Sequence, residues 1–200
     1  KTTIDIGAYA YTKVPASRRR YVKTAAAGGN DDHDGLTWAT AYASPQKAID
    51  ALNDGTGQRG EVWVAAGTYA PSTHITEDNN SPVAFLMHSG INVFGGFRGT
   101  ETSIDERDGY YEGSGDENPN RDPQYTWKFR DEYRTIFQGE ACSTPVWNST
   151  KGEWVFSSGS YHVVWFAPIA ANGVGTSDNK VAMFDKETVL DGVTIEGGKH

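Results

Sequence analysis

The chain has 200 residues, 37% hydrophobic and 12% aromatic, so it is long and apolar enough to bury the core of one domain. Its net charge of −8, from 18 Lys and Arg against 26 Asp and Glu, disfavours binding to nucleic acid or anionic lipid. A single cysteine, Cys142, excludes an internal disulfide and a cysteine-based zinc site. No apolar run approaches the ~20 residues of a membrane span, and no signal peptide opens the sequence.

One amphipathic helix is predicted near residue 45. Ser44 is a favourable N-cap, Pro45 suits the first helical position, and Asn53-Asp54-Gly55 ends the segment. Between them Ala48, Ile49, Ala51 and Leu52 form an apolar stripe. The helix precedes most of the predicted strands, so it is well placed to cap one end of a stack of strands.

Short apolar runs that end at glycines predict a mostly β chain. They are rich in Val, Ile, Phe and Trp, and 23 glycines separate them. Ile136 and Val163 are 27 residues apart, and Val163 and Val189 are 26 apart, an interval typical of one solenoid coil. The runs are 61–64, 84–87, 91–94, 135–137, 163–166, 188–190 and 193–195.

Several of these stretches together resemble a known family. The segment GGNDDHDGLTWATAYASPQKAIDAL, followed by GEVWVAAGTYAP, is similar to the opening of right-handed parallel β-helix proteins of the pectate-lyase-like superfamily. INVFGGFRGTETSIDERD, TIFQG, YHVVWF and TVLDGVTIEGG resemble successive coils of large bacterial surface and secreted proteins. The resemblance implies an all-β, right-handed parallel β-helix solenoid with an N-terminal capping helix, and an exported or cell-surface location.

The resemblance also implies a domain organisation. Residues 21–200 match the N-terminal part of a β-helix domain, and the pattern stops in mid-helix, which implies truncation at the C-terminus. Further coils of the same chain, or an associated chain, are then expected at the C-terminal end. Residues 1–20 are the tail of a preceding domain, an edge strand or a linker: Ile4 to Tyr11 fits a closing segment or an edge strand, and KVPASRRR fits a linker.

A loop ahead of the helix has partial calcium-site spacing. Asn30, Asp32 and Asp34, followed by Gly35, imitate the first half of a calcium-binding loop, but Ala41 stands where a bidentate acid is required. Asn and Asp are equally favoured there for turn hydrogen bonds alone. The sequence leaves both interpretations open, a calcium ion or a plain turn, and predicts no other cofactor.

No catalytic set can be assembled from the sequence. The acidic tract from Glu101 to Asp122 holds eight acids and two arginines, and it offers paired carboxylates for glycoside hydrolysis or a solvated insertion. A polysaccharide lyase needs clustered cations near a base, and the basic residues of the coils form no such motif. Neither a Gly-x-Ser-x-Gly elbow nor a phosphate-binding loop is present.

Aromatic side chains are the remaining hint of function. Exposed Trp and Tyr rings stack on sugar faces, whereas Trp63, Trp165 and Phe166 lie in strand runs and are expected in the core or in coil stacking. Two classes remain: a non-catalytic module for adhesion or glycan contact, and a fragment of a polysaccharide lyase or glycoside hydrolase whose active coils lie beyond residue 200. The candidate ligand-binding residues lie in or beside the acidic insertion and are Tyr110, Tyr111, Tyr125 and Trp127.

Overall fold

A computed structural model of the chain describes residues 14–74, 83–112, 126–139, 146–150, 152–155, 162–166, 169–170, 173–174 and 188–197. Strands dominate these residues, and they form parallel sheets accompanied by one α-helix. None of the helices in these ranges has the length and apolar character that a membrane span requires. The predicted segment from Ile4 to Tyr11 lies outside the described residues.

The described elements are short. The α-helix, α1, is Pro45–Leu52, and single-turn 3-10 helices cover Ala16–Arg18, Ala25–Ala27, Trp38–Thr40, Ile104–Glu106 and Asp131–Tyr133. The strands are β1 (Arg19–Val22), β2 (Gly60–Ala65), β3 (Gly67–Tyr69), β4 (Thr73–His74), β5 (Val83–Leu86), β6 (Ile91–Phe97), β7 (Gly109–Glu112), β8 (Thr126–Phe129), β9 (Thr135–Gln138), β10 (Val146–Asn148), β11 (Glu153–Val155), β12 (Val164–Trp165), β13 (Ile169–Ala170), β14 (Gly173–Val174), β15 (Leu190–Asp191) and β16 (Val193–Glu196).

Parallel pairing joins most of the strands into three sheets. The first sheet has the order β1-β2-β6-β15, the second β16-β9-β3, and the third β12-β5-β4, in which β4 is antiparallel to β5. The chain runs through the sheets in a repeating order: β2, β3 and β5 form a first pass, β6, β9 and β12 a second, and β15 and β16 a third. Antiparallel ribbons β7-β8, β10-β11 and β13-β14 lie between strands of successive sheets.

The predicted interval of 26 to 27 residues does not correspond to one pass. Ile136 lies in β9 of the second sheet, Val163 immediately precedes β12 of the third, and Val189 immediately precedes β15 of the first. Residues that pair directly are spaced unevenly, since Val93 pairs with both Val62 and Leu190. The interval measures steps between sheets, and it is wrong as a coil repeat. Every predicted strand run nevertheless overlaps an observed strand.

Helix α1 confirms the sequence prediction. The Ser44 side chain accepts a hydrogen bond from the Lys47 backbone N–H at 3.4 Å, and Pro45 occupies the first turn. Ala48, Ile49 and Leu52 are buried in the main hydrophobic cluster, and α1 lies against β1, β2 and β5. The apolar stripe therefore attaches the helix to strands of the first pass and to β1.

The main core lies between the three sheets. Val62 and Val93 of the first sheet, Phe137 of the second and Phe85 of the third are fully buried in one cluster, together with Ile49 of α1. The Phe85 and Phe137 rings are 4.3 Å apart, so the second and third sheets meet directly through aromatic packing.

A second aromatic cluster covers the opposite face of the first sheet. Trp63 stacks on Phe97 with ring centroids 4.6 Å apart, and both are buried. Tyr21 and Trp38 pack against them edge-on or tilted. The prediction that Trp63 is a packing residue is therefore confirmed, whereas Phe166 is 48% exposed and does not lie in the core.

The turn from β15 to β16 brings two backbones into contact. Gly192 has a φ of +70°, and a Cβ at this position would lie 2.6 Å from the carbonyl oxygen of Gly95. Only glycine meets both requirements without strain.

The arginines at residues 18–20 belong to the fold and not to a linker. Arg18 donates to the carbonyl oxygens of Leu52, Gln58 and Arg59, and Arg19 begins β1 opposite Glu61 of β2. Arg19 is only 7% exposed. The linker interpretation failed here because these partners are more than 30 residues away in the sequence.

Candidate functional site

Three of the four predicted ligand-binding aromatic residues lie on one antiparallel ribbon, formed by β7 and β8. The backbone register sets Tyr111 opposite Trp127 and Tyr110 opposite Lys128. Residues directly opposite each other in an antiparallel pair share one face, with Cβ atoms about 5 Å apart. The ribbon thus brings together residues that are far apart in the sequence. Tyr125 lies outside the described residues.

The base of the ribbon is fastened by charged side chains. Asp108 precedes β7, Arg130 follows β8, and the two form an ion pair with Arg130 Nε 3.3 Å from Asp108 Oδ1. Both side chains are at least one-third exposed, so the pair contributes less than about 1 kcal/mol. Beyond β8, the Arg98 guanidinium lies 5.6 Å from the centre of the Tyr133 ring. These contacts hold the two ends of the insertion together beside β6 and β9.

The described part of the acidic tract has structural partners. Glu101 is 2% exposed, and its carboxylate accepts the backbone N–H groups of Arg98, Gly99 and Thr100 at 2.6 to 2.9 Å. Burial raises the pKa of Glu101, but these backbone hydrogen bonds outweigh it and leave the net pKa below its usual value. Glu101 therefore organises the turn after β6.

Glu106, a second acid of the tract, also binds a nearby residue. Glu106 accepts both the backbone N–H and the hydroxyl of Thr102 at 2.9 and 2.8 Å. These hydrogen bonds lower the pKa of Glu106 and keep it ionised. Neither Glu106 nor Glu101 is held as the protonated acid that glycoside hydrolysis requires.

The calcium-like loop is held by turn hydrogen bonds. Asn30 Oδ1 accepts the Asp32 backbone N–H, and Asp34 Oδ1 accepts the Leu36 backbone N–H, each at 3.0 Å. Hydrogen bonds from Thr40 and Leu36 lower the pKa of Asp34. Asp31, which the calcium pattern does not use, accepts the backbone N–H groups of both Ala43 and Ser44 at 2.9 Å. The geometry fits an Asx-rich turn that leads into α1.

Calcium binding by Asn30, Asp32 and Asp34 stays a prediction. Asn30, Asp32 and Asp34 belong to no group of three His, Cys, Asp or Glu side chains that could hold an ion, and the search of the described residues found no such group elsewhere. His33, also in the loop, contacts the Ala41 carbonyl oxygen through Nδ1 at 3.2 Å. We derive no chemistry through a metal ion.

Arg19, Glu61 and Trp63 form a buried charged cluster that the sequence did not predict. Glu61 is 1% exposed, and its Oε2 accepts hydrogen bonds from Arg19 Nε at 2.9 Å and Trp63 Nε1 at 3.0 Å. The Arg19 guanidinium lies 3.8 Å from the Trp63 ring centre. Burial raises the pKa of Glu61 to about 7, against hydrogen bonds from Trp63 and the Val14 backbone that lower it.

The cluster continues across the first sheet toward β15. Asn92 of β6 pairs in register with Glu61, is 3% exposed, and accepts the Val189 backbone N–H at 2.9 Å through Oδ1. Its side chain therefore links the second pass to the third. Because the row from Arg19 through Glu61 to Asn92 is buried, its groups act on neighbouring strands and do not face solvent. Glu61 is the only charged residue of β2 and stands among apolar residues, so the strand pattern gives no signal of the cluster.

The histidines whose side chains are described lie apart from one another. His88 Nε2 is 3.6 Å from Asp50 Oδ1, and the exposed His162 packs edge-on against Trp165 at 4.7 Å. His162 thus lies at the surface. No Ser-His-Asp arrangement is present among the described hydrogen bonds of these residues.

Comparison with protein-family models, curated proteins and solved structures finds no match to this chain.

Proposed function

We propose that the described residues form the first coils of a right-handed parallel β-helix of the pectate-lyase-like type. The repeating order of three parallel sheets supports this proposal, because a chain that winds around one core visits each side in turn. Residues aligned by the register also support it, since Val62 and Val93 are both buried in the same core. A right-handed sense is the one expected for parallel connections.

We further propose that the protein is a non-catalytic module of a bacterial surface or secreted protein, used in adhesion through glycan contact. The observation that carries this proposal is the register of the β7-β8 ribbon, which sets Tyr111 opposite Trp127. A register position that pairs two aromatic residues is the arrangement from which a sugar-stacking platform can be built. Tyr110 and Lys128 occupy the neighbouring register position.

The non-catalytic form of the proposal is favoured by the state of the charged groups. Glu101 and Glu106 are engaged by backbone N–H groups. Arg130 is paired with Asp108, and Arg134 with Glu196 at 3.1 Å. A lyase needs unpaired cations to neutralise a uronate, and the described arginines of this region are already neutralised.

Location and partners are part of the same proposal. Export follows from the proposed family, and additional coils of a longer polypeptide, or an associated chain, would pair with the last strands of the three sheets. Nucleic acid is not proposed as a partner, since the net charge of −8 opposes anionic polymers.

The experiment is a binding assay on the 200-residue chain with a panel of neutral and acidic oligosaccharides, read by titration calorimetry. Trp127→Ala and Tyr111→Ala are expected to weaken binding about tenfold each, the effect of losing roughly 1.4 kcal/mol of stacking. Phe166→Ala is the control, because Phe166 is an exposed aromatic residue outside the ribbon. No binding to any glycan contradicts the proposal. Cleavage of uronate polymers to unsaturated, absorbing ends would instead support the lyase.

A further inference from the structure

Two connecting segments join the β7-β8 ribbon to the sheets. The first stem, residues 98–108, leads from β6 to β7, and the second stem, residues 130–134, leads from β8 to β9. A two-stranded ribbon by itself is only marginally stable in water. The order of the ribbon therefore depends on how firmly its two stems are held.

The first stem binds the third pass through Arg107. The Arg107 side chain is only 16% exposed, and its Nε donates to the Ile104 carbonyl oxygen at 3.2 Å. Its Nη1 donates to the carbonyl oxygen of Gly95 in β6 at 3.2 Å and lies 2.9 Å from Asp191 Oδ2 in β15. One guanidinium thus connects the stem to a strand of the second pass and to a strand of the third.

The second stem binds the third pass through Arg134. Arg134 Nη2 lies 3.1 Å from Oε1 of Glu196, the last residue of β16. The Arg134 carbonyl oxygen accepts the Gly67 N–H of β3 at 2.9 Å, so the first pass holds the Arg134 backbone while its side chain reaches the third. Each stem therefore carries an arginine whose carboxylate partner belongs to the third pass.

The two stems are also joined to each other, at the base of the ribbon. Asp108 of the first stem pairs with Arg130 of the second at 3.3 Å, and both side chains are at least one-third exposed. An exposed pair of this kind is weak. It closes the base of the ribbon, but the direction of the ribbon relative to the sheets is set by the contacts of each stem with the strands.

We propose that Arg107 and Arg134 are positioning residues for the β7-β8 ribbon. Their pairs with Asp191 and Glu196 make the order of the ribbon conditional on the third pass. The ribbon then holds the orientation in which it contacts a glycan only when β15 and β16 are docked. The consequence for glycan contact rests on the proposed function, whereas the ordering of the ribbon does not.

The test neutralises the two carboxylates in the 200-residue chain, because both lie outside the ribbon and its stems. Asp191→Asn combined with Glu196→Gln keeps the shape of both side chains and removes both charges. Hydrogen-exchange protection of the β7 and β8 amides should fall about tenfold, since each partly exposed pair accounts for at most about a fivefold factor. Asp54→Asn is the matched control: Asp54 is 41% exposed against 44% for Glu196, lies in the loop after α1, and pairs with Arg18.

Exchanging the charges distinguishes the ion pair from a general loss of folding. Arg134→Glu alone and Glu196→Arg alone should each lower the protection of the ribbon amides, and the two together should restore it, because the pair is rebuilt in reverse. The β2 amides, which lie in the first sheet, should stay protected in every variant. If they lose protection when both carboxylates are neutralised, Glu196→Gln alone is used, with a fall of up to about fivefold expected.

The second measurement is the affinity for the neutral oligosaccharides of the glycan panel, by titration calorimetry. Stacking on a neutral sugar involves no net charge, so a salt dependence of this affinity reports on the ion pairs. Between about 0.01 M and 1 M salt the Debye length falls from about 30 Å to 3 Å. The affinity of the unaltered chain should fall roughly fivefold over this range, whereas that of the doubly neutralised chain should be low throughout.

The possible outcomes separate this inference from the proposed function. Equal protection of the ribbon amides in the doubly neutralised chain and in Asp54→Asn overturns the inference, whatever the glycan result. Lost protection with unchanged glycan affinity also overturns it, because the ribbon then needs no fixed orientation to bind. Lost protection in a chain that binds no glycan of the panel supports the ordering of the ribbon and contradicts the proposed function alone.

Discussion

Gln46 acts in place of a strand beside β5, where β4 has ended, and its removal should destabilise the protein measurably. Its Oε1 accepts the Leu86 backbone N–H at 2.7 Å, and its Nε2 donates to the Leu86 carbonyl oxygen at 3.3 Å and to Asp50 Oδ1 at 2.8 Å. The neighbouring N–H groups, of Phe85 and Met87, bond to the segment containing β12. The N–H and C=O groups of Leu86 therefore point away from β12, and the Gln46 side chain hydrogen-bonds to both of them.

The expected loss of stability follows from how deeply Gln46 and Leu86 are buried. Gln46 is 3% exposed and Leu86 is 9% exposed, so water does not readily replace the amide. Gln46→Met keeps the length of the side chain and leaves two buried backbone groups unpaired, each of which costs about 1 to 3 kcal/mol. We expect a loss of roughly 2 to 4 kcal/mol in the free energy of unfolding. Gln58→Met is the control, because Gln58 is exposed, and it should change stability by less than about 0.5 kcal/mol.

The assay is urea unfolding followed by both fluorescence and circular dichroism, whose agreement tests the two-state assumption. Hydrogen exchange at the Leu86 amide gives a local measurement. Its protection should fall about 30-fold or more, which corresponds to roughly 2 kcal/mol. If Gln46→Met and Gln58→Met prove equally stable and Leu86 exchanges at the same rate in both, the amide does not serve as a strand partner and the reasoning is refuted.

Two further predictions concern a buried carboxyl and a crowded turn. Because the pKa of Glu61 is raised to about 7 in the folded chain, its contribution to stability is present below about pH 4.3 and is lost as pH rises to 7. Glu61→Gln should reduce the change in the free energy of unfolding between pH 4 and 8 by at most about 3 kcal/mol. The exposed Glu132→Gln is the control, and parallel pH profiles for the two variants would contradict the prediction. Gly192→Ala should destabilise the chain by over 2 kcal/mol, against about 1 for Gly152→Ala, since both have positive φ but only Gly192 meets a carbonyl oxygen. Equal losses in thermal unfolding would show that the contact with Gly95 is unimportant.

Features fixed by neighbouring residues could be predicted from the sequence. Helix α1 was identified because its cap, first-turn proline and apolar spacing all lie within a few residues of one another. The existence of strands followed from their composition. These are the interactions that a short segment specifies by itself.

Features fixed by distant partners could not be predicted. Arg19 was assigned to a linker because its neighbours are small and charged, and only Glu61 and Trp63 explain why it is buried. The loop at Asn30 shows that even a local pattern can fit two different structures. Its local pattern suits an ion or a turn, and only the structure shows that backbone N–H groups bond to Asn30 Oδ1 and Asp34 Oδ1.

The uneven spacing of paired strands has a physical reason that also bears on function. Doubling the length of a loop costs only about 0.6 kcal/mol of closure entropy, so a sheet edge tolerates long insertions between its strands. Here antiparallel ribbons occupy those insertions: β7-β8 between β6 and β9, β10-β11 between β9 and β12, and β13-β14 between β12 and β15. The outer face of the first sheet is already occupied by Trp63 and Phe97, which are buried there. A ligand can therefore reach an insertion more readily than it can reach the outer face of the first sheet. For this reason we place glycan contact on the β7-β8 ribbon.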